Sequence, residues 1–231
     1  MHVPDGFFDA PTSVATGVVA AAGVGIALRK ARTELDDRTA PMAGLVATFV
    51  FAAQMLNFPV GAGTSGHLLG GALAAVLVGP WTGILCVSVV LVVQALLLAD
   101  GGITALGTNI TLMSLVALLA GWLVFRGLQA MLPRRLGLVP VLAGVAGAAS
   151  VPVAAATFVG LYAVGGTAPI DLSTLTTAML GWHILIGIGE GVITGLVVGS
   201  VVALRPDLVH GARPALRART LEIRTREEAA A

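Results

Sequence analysis

From Thr39 to Ala99 the chain carries no Asp, Glu, Lys or Arg, sixty-one residues in a row without a formal charge. An ordinary soluble domain is about 25% charged, so such a run belongs in a bilayer. It is long enough for three crossings at roughly 20 residues each. The remainder agrees, since 57% of the 231 residues are apolar and 11% charged. The chain therefore reads as an all-α, polytopic membrane protein. Thirty glycines occur without a collagen-like period or a low-complexity run, which suits close helix packing better than disorder. The opening MHVPDGFFDA lacks a basic start and contains Asp5 and Asp9, so no cleavable signal peptide is readable and the mature chain is expected to begin at or next to Met1.

Apolar stretches between charge and turn signals give seven expected crossings: about Thr12 to Leu28, Pro41 to Phe58, His67 to Gly79, Thr82 to Ala99, Ile103 to Phe125, Leu138 to Gly165 and Leu172 to Leu204. The third is short, 13 residues that would rise only about 20 Å as a helix. Cytoplasmic loops collect Lys and Arg, and this decides its status. With seven crossings and the N-terminus outside, the cytoplasmic segments hold Arg29, Lys30, Arg32 and Arg38, then Arg126, Arg134 and Arg135, then six arginines after Leu204, which together are all 13 basic residues. Without the third crossing nine of them would lie outside. The C-terminus is then cytoplasmic, with residues 1–204 forming one membrane domain, residues 1–11 its N-terminal tail, and 205–231 a basic tail. The outer loops carry only acids, Asp5, Asp9, Asp100 and Asp171. These either draw cations to the entrance or are simply tolerated there.

Several activities are excluded. A phosphate-binding G-x-x-x-x-G-K-[ST] loop is absent, and the only lysine, Lys30, stands in a charged loop. That same absence removes a retinal Schiff base inside a helix. Neither H-E-x-x-H nor G-x-S-x-G occurs, so the chain is not expected to be an enzyme. Cys86 alone can form neither an intrachain disulfide nor a thiolate cluster.

Polar groups inside the membrane are costly and point to sites or to interhelical clasps. His183 and Glu190, seven apart, share a face of the last crossing. They either line a pathway or form a buried clasp that fixes helix register. Gln54, Asn57, Gln94 and Asn109 lie near expected outer helix ends, and with Ser65 and Asp100 on the outer loops they are candidates for the surroundings of a site or an ion path.

Histidine in second position offers a particular chemistry. The α-amine, the amide nitrogen between residues 1 and 2 and the imidazole Nδ1 can close two fused chelate rings around one metal ion. A fourth nitrogen completes a square plane, and on the outer face only His67 remains to supply it. Ten residues of tail reach up to about 33 Å, enough to fold back into the bundle. Such a donor set favours Ni(II) or Cu(II) over tetrahedral Zn(II), with Co(II) possible. The alternative is a frayed tail and a polar residue at a helix start.

The segments MHVPDGFFDAP, FAAQMLNFPVGAGTSGHLLGGALAAVLVGPW, VQALLLADGGITALGTN and HILIGIGEGVIT resemble the CbiM/NikM family, the substrate-binding membrane components of cobalt or nickel energy-coupling-factor transporters. The likeness runs from Met1 to about Leu204 and is most specific at M-H-x-P-D-G-F and G-T-S-G-H-L-L-G-G. Residues 133–171 match by hydropathy alone, and Phe8 stands where many relatives have leucine. The resemblance implies metal ligation by Met1, His2 and His67, with Ni2+ or Co2+ as cargo and no permanent cofactor. It also implies a transmembrane coupling subunit, separate cytoplasmic ATPase subunits, a small accessory membrane subunit in some cases, and a prokaryotic cell membrane. Nucleic acid is not an expected partner. Two rivals stand beside this reading: a stand-alone metal permease, and a membrane structural or assembly subunit in which the histidines are incidental. Small residues at Gly17, Ala21 and Gly25 would let a helix approach closely, from this chain or from a partner.

Overall fold

The computed structural model describes residues 1–37, 39–61 and 64–230, without the side chains of 58, 59, 61, 64, 65 and 222–230. Helix α1 (Ala10–Lys30) starts where the Asp9 carboxylate accepts the Thr12 amide at 2.9 Å and Pro11 occupies the first turn. It ends on Arg29 and Lys30, whose charges suit a helix C-terminus. Then follow α2 (Ala40–Gln54), the strands β1 (Phe58–Gly61) and β2 (Thr64–Gly66), α3 (Gly71–Val78) and α4 (Pro80–Leu97). Next, α5 (Leu106–Asn109), a π-helical stretch Ile110–Ala117 and α6 (Leu118–Met131) make one continuous helix. The long α7 (Val139–Gly165), α8 (Leu172–Leu204) and C-terminal α9 (Arg213–Ala230) complete the order.

Among the described residues five helices are long and apolar enough to cross a membrane, while α2 is a shorter apolar helix of 15 residues. The architecture is helical as expected, apart from the small antiparallel β1–β2 hairpin, which pairs Phe58 with Gly66 inside the expected outer loop. The third apolar stretch departs most from a plain helix. Only Gly71–Val78 is helical, and all eight of these residues are buried. Gly70 stops the helix from extending backwards, because its φ of 73° is left-handed. A Cβ there would also meet Val50 Cγ2 at 2.8 Å. Four non-helical residues and two turns of helix, at most roughly 25 Å in all, lead from His67 beside His2 to Gly79 beside Glu34.

Around this buried axis the other helices close tightly. A Cβ on Gly71 would come within 3.0 Å of the Leu118 backbone, and one on Gly121 within 2.6 Å of Ala72. Helices α7 and α8 touch backbone to backbone, since a Cβ on Gly191 would lie 2.7 Å from the Gly144 carbonyl and one on Gly144 2.8 Å from the Gly191 carbonyl. Small residues four apart are what permit this approach. Of the α1 face expected to receive a helix, Gly17 packs against Gly107 of the same chain, while Ala21 is exposed.

The connections gather at two ends. At one, residues 1–9 meet the loops 98–105 and 165–168 and the segment at His67. At the other, Glu34 accepts the amides of Trp81 (3.3 Å) and Thr82 (2.7 Å), capping α4. Lys30 lies 4.5 Å from the Trp81 ring centroid. Burial raises the Glu34 carboxyl above the usual carboxylate range, opposed by these hydrogen bonds. Residues after Leu204 fold back at this second end, where Gln129 Nε2 donates to the Gly211 carbonyl at 2.8 Å and Val209 is buried.

Candidate metal centre

The tail reaches the site because it is anchored along its length. Phe7 and Phe8 pack on Phe158 and Tyr162, with ring centroids 5.4–5.8 Å apart. The backbone is tied to the α7–α8 connection, Asp9 N to Gly165 O at 2.8 Å and Thr167 N to Phe7 O at 3.0 Å. The Asp5 carboxylate receives the Thr104 amide at 2.7 Å and its hydroxyl at 2.5 Å. Nearer the end, Asn109 treats Val3 as a neighbouring strand would: Val3 N donates to its Oδ1 at 2.8 Å and its Nδ2 to Val3 O at 3.1 Å. Gly102 N adds a second donor to that carbonyl. The Asp-Gly-Gly turn is required here. Gly101 has φ 91°, and a Cβ on Gly102 would collide with the Asp5 backbone nitrogen.

Met1 and His2 are thereby delivered into the bundle, where Met1 is 2% exposed. The His2 ring stacks on His67 with centroids 4.4 Å apart and planes 27° from parallel. His67 is fully buried, and its Nδ1 donates to the Leu68 carbonyl at 2.8 Å. A carbonyl only accepts, so the proton is on Nδ1 and Nε2 keeps a free lone pair; that atom is buried without a partner. His67 lies within electrostatic reach of the Met1 amine, His2 and His183. His183 repeats the same pattern, with Nδ1 bonded to the Met179 carbonyl at 2.7 Å and Nε2 buried and unpartnered.

The segment that carries His67 is not helical, and its backbone groups are satisfied from two other helices. Glu190 accepts Leu69 N at 2.6 Å and Gly70 N at 3.0 Å, while Gln54 Nε2 donates to Leu69 O at 2.8 Å. Non-helical backbone at membrane depth requires this kind of pairing within the protein. Burial pushes the Met1 amine down to about 4, with Asp100 pulling the other way. The amine is therefore neutral near pH 7, with a lone pair to donate. Asp100 itself is held below the usual carboxylate range, chiefly by its hydrogen bond with His2.

No cluster of three or more His, Cys, Asp or Glu side chains suited to a metal occurs among the described residues. The nitrogen donors anticipated from the sequence are of another kind, an amine, a backbone amide and imidazoles. One element differs from the anticipated chelate. His2 Nδ1 faces Asp100 Oδ1 at 3.2 Å and Nε2 faces Gln94 Oε1 at 3.1 Å, so ring closure through Nδ1 has to exchange Asp100 for the ion.

Of the candidates read from the sequence, Met1, His2, His67, Gln94, Asp100, Asn109, His183 and Glu190 lie in or next to this cluster. Asn57 is exposed after α2, and among the described residues nothing ties its side chain to the cluster. Ser65 belongs to β2, and its side chain lies outside the described residues. The bond of Gln54 to the histidine segment and the anchoring of Asp5, Phe7 and Phe8 were not anticipated. An aromatic pair in a tail outside the expected crossings was the available signal for the last two.

A family model described as the cobalt uptake substrate-specific transmembrane region matches residues 2–208. A relative from Haloquadratum walsbyi named for metal transport is 39% identical over 209 residues, covering 90% of this chain and 93% of that one. The fused nickel transport protein NikMN of Rhodobacter capsulatus is 33% identical over 237 residues, 96% of this chain and 68% of its own. A crystal structure described as a truncated transition metal transporter superposes with a TM-score of 0.79 at 30% identity, covering 88% of this chain and 99% of that chain.

Proposed function

The chain belongs to the CbiM family of cobalt-uptake transmembrane proteins, and from that premise we propose that it captures Ni2+ or Co2+ through Met1, His2 and His67 as the substrate-binding component of an energy-coupling-factor transporter. The observation that carries this reading is the stacking of His2 on His67 at 4.4 Å beside a buried N-terminal amine. The four nitrogens are the Met1 amine, the His2 amide, His2 Nδ1 and a ring nitrogen of His67, with Nε2 the free lone pair. His183, Gln94 and Asp100 surround them. Such a set suits an ion with a square-planar preference. Asp100 takes part in exchange at His2, since its carboxylate must yield Nδ1 when the ion enters.

Support for seven crossings with the N-terminus outside comes from the two ends of the bundle. His67 stands with the acidic loops and Gly79 with the basic ones, so the third segment runs from end to end despite its short helix. On this reading the metal centre lies on the outer side of the cell membrane and residues 205–231 in the cytoplasm. Hydrolysis of ATP falls to separate subunits, reached through a transmembrane coupling subunit, and a small accessory membrane subunit is compatible with the same scheme.

Calorimetric titration of the purified, untagged protein with nickel and cobalt tests the site. One ion per chain is expected, with affinity rising as pH rises because the amide must release its proton. Extension of the chain ahead of Met1, or His67→Ala, is expected to weaken binding at least about a hundredfold, each removing one of four donors. Unchanged affinity in the extended form would overturn the chelate.

A further inference from the structure

The basic end of the bundle holds a second built feature. Between the last turns of α6 and the start of α9 opens a cleft of about 600 Å³, lined by Trp122, Arg126, Arg134, His210, Arg213 and Arg217 among others. No acidic residue among the described ones lines it. A second cleft of about 420 Å³, which shares Arg134, adds Arg135 and Arg219. One of these charges, on Arg126, is held in place. Arg126 donates to Gln129 Oε1 at 2.9 Å and lies 5.8 Å from the Trp122 ring centroid, while Gln129 is itself fixed by Gly211. His210 meets the Trp122 ring edge to face at 5.6 Å. Burial, with Arg213 and Arg126 adding to it, pushes its imidazole down to about 4, and its Nδ1 is buried without a partner.

Two carboxylates stand nearby: Glu34 acts on Arg213 and accepts the Trp81 and Thr82 amides, and Asp207 is held by Arg205 at 2.8 Å. Neither lines the cleft, where the guanidinium groups of Arg126, Arg134, Arg213 and Arg217 make a field that favours an anion. A guanidinium fork matches phosphate oxygens in particular.

The apolar surroundings define the kind of anion. Leu123, 69% exposed, stands one helical turn from Arg126, and Met131, 82% exposed, ends α6 three residues before Arg134. Both lie on the last turns of a continuous apolar helix. A ligand that places phosphate among the arginines and hydrocarbon along Leu123 and Met131 satisfies both surfaces. We propose that the cleft binds the phosphate of an anionic glycerophospholipid headgroup. Basic pockets at the cytoplasmic ends of membrane helices are suited to such headgroups. The inference rests on the membrane placement argued above and is independent of the metal chelate.

Native mass spectrometry of the full-length protein, reconstituted with phosphatidylglycerol or phosphatidylcholine, tests it. The wild type is expected to retain phosphatidylglycerol and not phosphatidylcholine, and excess inorganic phosphate is expected not to displace it. The pair Arg126→Gln and Arg217→Gln should lower retention about 25-fold, near fivefold for each charge, while Arg126→Lys with Arg217→Lys should retain most of it and reports on folding. Retention that ignores the glutamine pair, equal retention of phosphatidylcholine, or displacement by inorganic phosphate or by polyglutamate would overturn the proposal. Nickel titration of the same samples should be unchanged, so a failure of the chelate would show there and leave the lipid result standing.

Discussion

Glu190 spends both carboxylate oxygens on two adjacent backbone amides, Leu69 and Gly70, and so holds the segment on which His67 is mounted. Glu190→Gln keeps the shape but turns one acceptor into a donor that faces an N–H. The expected result is a loss of about 1–3 kcal/mol in unfolding free energy and a metal affinity about ten to a hundred times weaker, as for other groups that orient a ligand. Thermal unfolding and nickel titration measure the two separately. The meeting of His2 and His67 was legible, because a histidine in second position and a lone outer histidine suggest a shared chemistry without any fold. The role of Glu190 was only half legible. Its spacing from His183 placed both on one helix face, but its partners are backbone amides, which leave no mark in a sequence. Asn109 is the same case, recognisable as a polar residue near a helix end and unreadable as the clasp of Val3.

At the scale of elements, α7 and α8 depend on glycines where their backbones meet. Gly191→Leu would drive a side chain into the Gly144 carbonyl, whereas at Gly189 an added Cβ meets nothing within 4 Å. The first substitution is expected to destabilise by at least about 1–3 kcal/mol, the range for overpacking, and Gly189→Leu by less than about 0.5 kcal/mol. Thermal unfolding in detergent should separate them, and equal effects would contradict the packing described. Hydropathy located four of the five long apolar helices to within about two residues and missed the last six residues of the one ending at Met131, since burial in lipid needs only a continuous apolar run. It did not locate the boundary inside the third stretch. His67 to Gly70 carries no Pro or charge to mark a break, and its non-helical form depends on hydrogen bonds from α2 and α8 and on the left-handed Gly70. The π-helical stretch Ile110–Ala117 is likewise set by packing and carries no compositional sign.

For the whole molecule, the sorting of charge by loop is the feature that the sequence displayed most openly. All acids of one set of loops and the basic residues of the other fall at opposite ends of the bundle, where contacts join His2 to Asp100 and Glu34 to α4. Cysteines at the exposed positions Pro169 and Gly137 check the orientation. Pro169→Cys is expected to react with a membrane-impermeant maleimide in intact cells, and Gly137→Cys only after lysis. Cys86 is buried and supplies little background. The reversed pattern would invert the topology. Which loops meet one another was not legible, because pairing across the bundle is decided by helix order in space.

The anchoring of residues 1–9 also sets an order of assembly. Their partners are Gly102, Thr104, Asn109, Gly165 and Thr167, parts of the chain synthesised long after them. Residues 1–9 therefore find their places only once the connections near residues 100 and 165 have come together. A chain stalled with α7 and α8 undocked has no surface on which Phe7 and Phe8 can settle. If Met1, His2 and His67 form the proposed chelate, its occupation would certify that the bundle is finished, and an incomplete molecule would be silent toward the ion.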